Sequence, residues 1–126
     1  MTADEKRLAE IVQRALQKTK EDGLSWGPTK EKSTTNFWVQ LGRLQLQVAK
    51  SDNGIYTVWL LDQEAKVVAT LTTQLPVMIQ LSGGVAAKWE KEVAELWDLA
   101  RRQALQIDTT FDEALQALED PGQGSG

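Results

Sequence analysis

The chain has 126 residues, a formal net charge of −4, five tryptophans, and neither histidine nor cysteine. Without imidazole or thiolate it can build no Ser-His-Asp triad, no cysteine nucleophile and no zinc-finger or iron–sulfur ligand set. Its acidity disfavours bulk attraction to nucleic acid or anionic lipid, and its length suits one core.

Residues 1–120 therefore read as a single α+β domain, and the Gly/Ser-rich residues 121–126 as a flexible tail. No apolar run approaches the roughly 20 residues of a membrane span, and Met1 to Arg7 is charged with no apolar signal core behind it. The expected location is the cytoplasm, with no metal or cofactor.

Thr2 and Glu5 have the spacing of a capping box, and Leu8, Ile11, Val12, Ala15, Leu16 and Thr19 recur behind them at helical spacing. Lys6, Glu10, Arg14, Gln17 and Lys20 fall on the opposite face. Asp22 and Gly23 supply the stop. Residues 27–35 are polar, hold Gly27 and Pro28, and read as a loop that Leu24 and Trp26 anchor at its start.

From Phe37 the period becomes two. Phe37, Val39 and Leu41 alternate with Trp38 and Gln40; after Gly42 the phase flips, and Leu44, Leu46 and Val48 alternate with Arg43, Gln45 and Gln47. A flip at glycine predicts a tight turn or a bulge. Asp52-Asn53-Gly54 predicts a hairpin, followed by a strand from Ile55 to Leu61, a turn at Asp62 to Ala65 and a strand from Lys66 to Thr73. This is an antiparallel meander of four strands. A fifth is open in residues 74–81, an extended apolar segment that Pro76 confines to a sheet edge or a loop.

A second long helix is predicted from Val85 to Gln106, with Val85, Trp89, Val93, Leu96, Ala100 and Ala104 in one stripe. That pattern puts Trp89 in the core and Trp97 at the stripe's edge. Thr109, with Asp112 three residues on, predicts the N-cap of a short amphipathic helix carrying Phe111, Ala114, Leu115 and Leu118, and Pro121 ends it.

Two of these stretches resemble a known pattern. Thr19 to Trp26, with Gly23-Leu24-Ser25-Trp26 after a helix, and Leu96-Trp97-Asp98-Leu99-Ala100-Arg101-Arg102-Gln103-Ala104-Leu105, followed by Ile107-Asp108 and a short helix, are similar to a group of small bacterial proteins. These run helix, Gly-x-Leu-x-Trp, β-meander, and a helix reading Leu-x-x-Leu-Ala-Arg-Arg-x-Ala-Leu. The resemblance implies a fold and brings no activity with it. Residues 74–84 are long for the pattern.

Several constellations bear on function. Asp52 with Glu64-Ala65-Lys66 is like the acidic-x-Lys signature of metal-dependent nucleases. The two acids flank the strand from Ile55 to Leu61, however, roughly 20 Å apart at about 3.3 Å per residue, too far to share a metal. Arg101 and Arg102 are candidate anion ligands, against the plainer reading that Arg102 pairs with Asp98 one turn back. Gly83-Gly84 could cradle an anion, but no Lys or Thr accompanies it as in a phosphate loop, and a connector is the better reading.

The sheet carries the main candidate site. One face must pack on the helices; the other holds Gln45 and Gln47 with either Tyr56, Val58 and Leu60 or Thr57, Trp59 and Leu61, depending on hairpin register. The expected function is noncovalent protein binding, as a regulatory, immunity-type or chaperone-like accessory, with another protein or a second copy as partner. The expected contacts are Trp38, Arg43, Gln45 and Trp59, with Pro76, Val77 and Met78 from the apolar segment. The alternative is a small-ligand or single-strand nucleic-acid module on the same aromatics. A Mg²⁺-dependent carboxylate enzyme stands third.

Overall fold

The computed structural model describes residues 1–29, 34–74 and 87–119. Helix α1 spans Ala3–Lys20. Strands β1 (Gly27–Pro28), β2 (Asn36–Leu41), β3 (Leu44–Lys50), β4 (Tyr56–Leu61) and β5 (Val67–Thr72) follow, and then helices α2 (Lys88–Ala104) and α3 (Ile107–Glu119). The strands pair antiparallel in the order β1-β2-β3-β4-β5, so the sheet is a plain meander. The fold is α+β, as the periodicities predict.

Local chemistry sets the element ends. At the start of α1 the Thr2 hydroxyl accepts from the Glu5 N–H at 3.1 Å, and the Glu5 carboxylate accepts from the Thr2 N–H at 3.0 Å, a closed capping box. At its end Gly23 N–H donates to Lys18 O at 2.8 Å and Asp22 N–H to Thr19 O at 3.1 Å, the paired bonds of a Schellman ending. The left-handed residue there is Asp22, at φ +58°, and not Gly23.

Gly42, at φ +62°, sits in the two-residue β2–β3 turn between the paired Leu41 and Leu44. The β4–β5 turn is organised by Asp62, whose carboxylate accepts from the N–H groups of Glu64 and Lys66 at 2.9 and 3.0 Å.

The two helices lie over one face of the sheet, α1 above β5 and α2 across β1 to β4. Phe37, Val39, Leu46, Val48, Val58 and Leu71 fill that face beneath Leu8, Val12 and Leu16 of α1 and Val93, Leu96 and Ala100 of α2, in one continuous core. Trp97 closes it. Its ring centroid lies 5.9 Å from Phe37 and 5.8 Å from Tyr56, its indole N–H donates to Thr35 O at 2.9 Å, and the Lys50 ammonium sits 5.0 Å from its ring centroid.

Four expectations change. Gly27 and Pro28 are not loop but a short edge strand paired with Trp38 and Phe37. A two-residue strand has no period to detect, and proline is tolerated at an edge. The fifth strand therefore comes before the meander, while residues 74–81, apart from Gln74, lie outside the described residues.

Trp97, placed at the stripe's edge by the pattern, is buried at 9% exposure, while Trp89, placed in the core, is half-buried at the helix's first turn. Trp89 packs against the core from its margin, while Trp97, two turns on, is part of it. Val85 lies outside the described residues.

Helix α3 starts at Ile107, ahead of the predicted cap at Thr109. Gln106 takes a left-handed φ of +52° and its carbonyl accepts from Thr110 N–H at 2.9 Å, so the chain turns and resumes helix at once. Finally, Leu60 pairs with Ala69 but Leu61 with Val67, which leaves Val68 as a bulge residue on β5.

Candidate functional site

Register settles which residues share the sheet's second face. Trp38 is directly opposite Gln47, Gln47 opposite Trp59, and Trp59 opposite Thr70, so these four form one row across β2 to β5. Of the two sets left open by the sequence, Thr57, Trp59 and Leu61 are the ones on this side, since Tyr56 and Val58 are core. Trp38 and Trp59 are half-buried, two strand spacings or about 10 Å apart. A Cβ added at Gly27 would lie 3.7 Å from the Trp38 indole nitrogen, which places that indole against β1.

The row continues through Gln45, opposite Gln40 and Leu61. The face is graded: Gln40, Thr70 and Thr72 are exposed, Gln45 and Gln47 half-buried, and Leu61 buried. Among its described residues none is charged.

The other expected site residues scatter. Arg43 is in the β2–β3 turn, where it lines a hollow of about 310 Å³ with Leu44, Asp62, Gln63 and Glu64, at the end of the sheet and not on the row. Pro76, Val77, Met78 and Gly83-Gly84 lie outside the described residues. Arg102 forms ion pairs with Asp98 and Asp108, both at 3.2 Å. Its hydrogen bond to Asp98, with the charges of both carboxylates, raises its pKa further above its usual range. Arg101 is half-buried beside it.

Asp52 and Glu64 stand in the turns at opposite ends of β4. Among the described residues no group of three or more acids, histidines or cysteines could hold a metal ion, and no helix is long and apolar enough to cross a membrane.

The stretches Thr19 to Trp26 and Leu96 to Leu105 meet in space. The Trp26 N–H donates to the Gln103 side-chain oxygen, and the Trp26 indole N–H donates to Thr19 Oγ1 at 3.0 Å, which itself donates to Ala15 O at 2.7 Å. Their contact joins the end of α1 to α2, beside a hollow of about 320 Å³ lined by Thr19, Arg102, Gln103 and Asp108.

The surface that sequence reasoning did not single out is α3. None of its described residues is fully buried, and Phe111, Leu115 and Leu118 are 64%, 58% and 83% exposed. The signal is present in the amphipathic spacing of Phe111, Ala114, Leu115 and Leu118. Compared with family models, curated proteins and solved structures, the chain matches none.

Proposed function

We propose that this chain is a non-catalytic protein-binding domain, a cytoplasmic accessory of regulatory, immunity or chaperone type. Helix α3 is its main contact element. The observation that carries the reading is the exposure of Phe111, Leu115 and Leu118 along one side of an otherwise regular helix. A contiguous exposed apolar stripe is unusual on a monomer and marks interaction surfaces. The Trp38–Gln47–Trp59 row is the second contact surface, less accessible because its aromatic members are half-buried.

One observation favours a second reading of that row. An uncharged face with two indoles about 10 Å apart suits a neutral ring-bearing ligand such as an oligosaccharide, and lacks the Lys and Arg that track a nucleic-acid backbone.

The test is affinity capture from native-host lysate with wild-type chain, Phe111→Ser/Leu115→Ser and Trp38→Ala, each checked for an unchanged thermal transition. A stoichiometric protein lost with the α3 variant supports the reading. Full retention by both variants removes both surfaces, and quenching of tryptophan fluorescence by oligosaccharide in the absence of any captured protein favours the second reading.

A further inference from the structure

Helix α3 holds four acids, Asp108, Asp112, Glu113 and Glu119, and no base. The remaining fourteen acidic residues of the chain equal its fourteen basic ones, so this helix alone accounts for the net charge of −4. The acids are not spread evenly around it. At about 100° per residue, Ile107, Phe111, Ala114, Leu115 and Leu118 make the stripe. Asp108, Asp112 and Glu119 run along one edge, next to Leu115, while Glu113 falls beyond the opposite edge, behind Thr110 and Ala117.

We infer that α3 docks into an apolar groove on a different protein, one wall of which carries Lys or Arg side chains set against Asp112 and Glu119. The inference rests on the reading that α3 binds protein at all, and three arguments give the partner its chemistry. First, an isolated helix shorter than about 12 to 15 residues is marginal in water; none of the 13 residues of α3 is fully buried and only Ile107, at its start, is half-buried, so a partner supplies the burial that elsewhere comes from the core.

Second, at 1.5 Å per residue α3 is about 20 Å long. A flat contact along such a rod falls well short of the roughly 800 Å² per partner of a stable interface, whereas a groove takes in the stripe and both edges.

Third, charge selects the occupant. A second copy docking through its own α3 brings another four acids and no base to the contact. An anionic membrane surface repels the acidic edge, and a zwitterionic one offers it no counter-charge. A basic wall neutralises it, and complementary potentials both steer the encounter and fix the orientation.

The experiment titrates the full chain into a fluorescein-labelled Leu/Lys helical-hairpin peptide, whose two helices leave an apolar groove walled by Lys, with a Leu/Glu hairpin peptide as counterpart, and reads anisotropy at low and high salt. The expected result is saturable, salt-sensitive binding of the Leu/Lys peptide alone. Asp112→Lys should weaken it about tenfold, as for a charge pair inside an interface. Glu113→Lys, an equal charge change on the far side, should alter it by less than about twofold, as for a solvated rim charge. Asp112→Asn, which removes the charge without reversing it, should fall between the two and guards against a fault in folding.

Equal losses from Asp112→Lys and Glu113→Lys reduce the effect to net charge and overturn the basic wall, as does equal binding of the Leu/Glu peptide. Concentration-dependent self-association in sedimentation, abolished by Phe111→Ser/Leu115→Ser, makes the occupant a second copy and overturns the inference. So does co-flotation with phosphatidylcholine or phosphatidylglycerol vesicles. If no peptide binds while the α3 variant still loses a captured protein, α3 remains a protein-binding element and the basic groove falls; if neither occurs, both fall.

Discussion

Helices α2 and α3 are separated only by Leu105 and Gln106, and both repeat apolar residues every three or four positions. Yet α2 buries Val93, Leu96, Trp97 and Ala100, and no residue of α3 is fully buried. The difference arises at the junction. Gln106 turns through a left-handed φ of +52°, and Arg102 reaches both Asp98 on its own helix and Asp108 on the next, so α3 is led away from the core and held there. Amphipathic spacing shows which side of a helix is apolar; what meets that side depends on the direction in which the preceding residues send the helix.

The sharpest way to break this comparison is to truncate one aromatic from each helix. Trp97→Ala should cost about 3 to 5 kcal/mol, since it empties the site between Phe37 and Tyr56 and leaves Thr35 O without its donor. Phe111→Ala should stay within about 0.5 kcal/mol, as for a surface position away from packing, caps and buried polar groups. Urea denaturation measures both. Comparable losses would mean that α3 is packed and the contrast is false.

Next comes the seam where α1 meets α2. In Thr19→Val the shape is nearly kept but the Trp26 indole N–H loses its buried acceptor, which should cost about 1 to 3 kcal/mol. Gln103→Met removes the acceptor of the Trp26 backbone N–H, and because both bonds serve the same residue the two changes should couple in a double-mutant cycle. Strict additivity would show that Trp26 is held by packing alone.

Much of this was legible beforehand, and the exceptions have physical causes. The capping box, strands β2 to β5 and the turns at Gly42 and Asp52-Asn53-Gly54 follow from chemistry confined to a few neighbouring residues, so sequence reports them directly. The core face of β4 stays open in the sequence because the registers Gln47↔Trp59 and Val48↔Val58 are fixed by the length of the 51–55 turn. The bulge at Val68 depends on how β5 meets β4, which no single strand's pattern contains.

Of the expected contact residues, Trp38, Gln45 and Trp59 share a face: alternation places Trp38 and Gln45 off the core side, and the β3–β4 register adds Trp59. Arg43 was assigned there by the same alternation, but it falls in the turn itself. The exposure of α3 could not be read, since it requires knowing that Gln106 turns the chain.

That turn can be tested more gently. A left-handed φ costs a residue with a side chain roughly 1 to 2 kcal/mol, against about 0.4 to 1 kcal/mol of extra unfolded-chain entropy for glycine. Gln106→Gly should therefore raise stability by about 0.5 kcal/mol or more, and Asp22→Gly, at φ +58°, by less, because aspartate tolerates this region better than glutamine. A loss of stability at Gln106 would show that its side chain, and not its backbone, governs the departure of α3.

The smallest expected effect contrasts the starts of α1 and α3. Glu5 is held below the usual glutamate range, first by its hydrogen bond from the Thr2 backbone N–H and then by that with the Thr2 side chain. A carboxylate with a lowered pKa in the folded state stabilises the fold at pH values above its unfolded pKa, and that contribution disappears as pH falls through the folded value. Acid should therefore fray the first turn of α1, seen as faster amide hydrogen exchange at Thr2 and Glu5, while the middle of the helix, with Val12 and Leu16 in the core, stays protected. Glu5→Gln keeps an acceptor for the Thr2 N–H but removes the titration, so its exchange rates should follow only the ordinary pH dependence of free amides. The start of α3 has an ion pair in place of a capping box, since Asp108 faces Arg102 at 3.2 Å. Added salt should loosen this start by screening, and should leave the Thr2–Glu5 hydrogen bonds largely unaffected. Equal salt sensitivity at both starts would remove the distinction between a helix fixed by its own cap and one fixed by the helix before it.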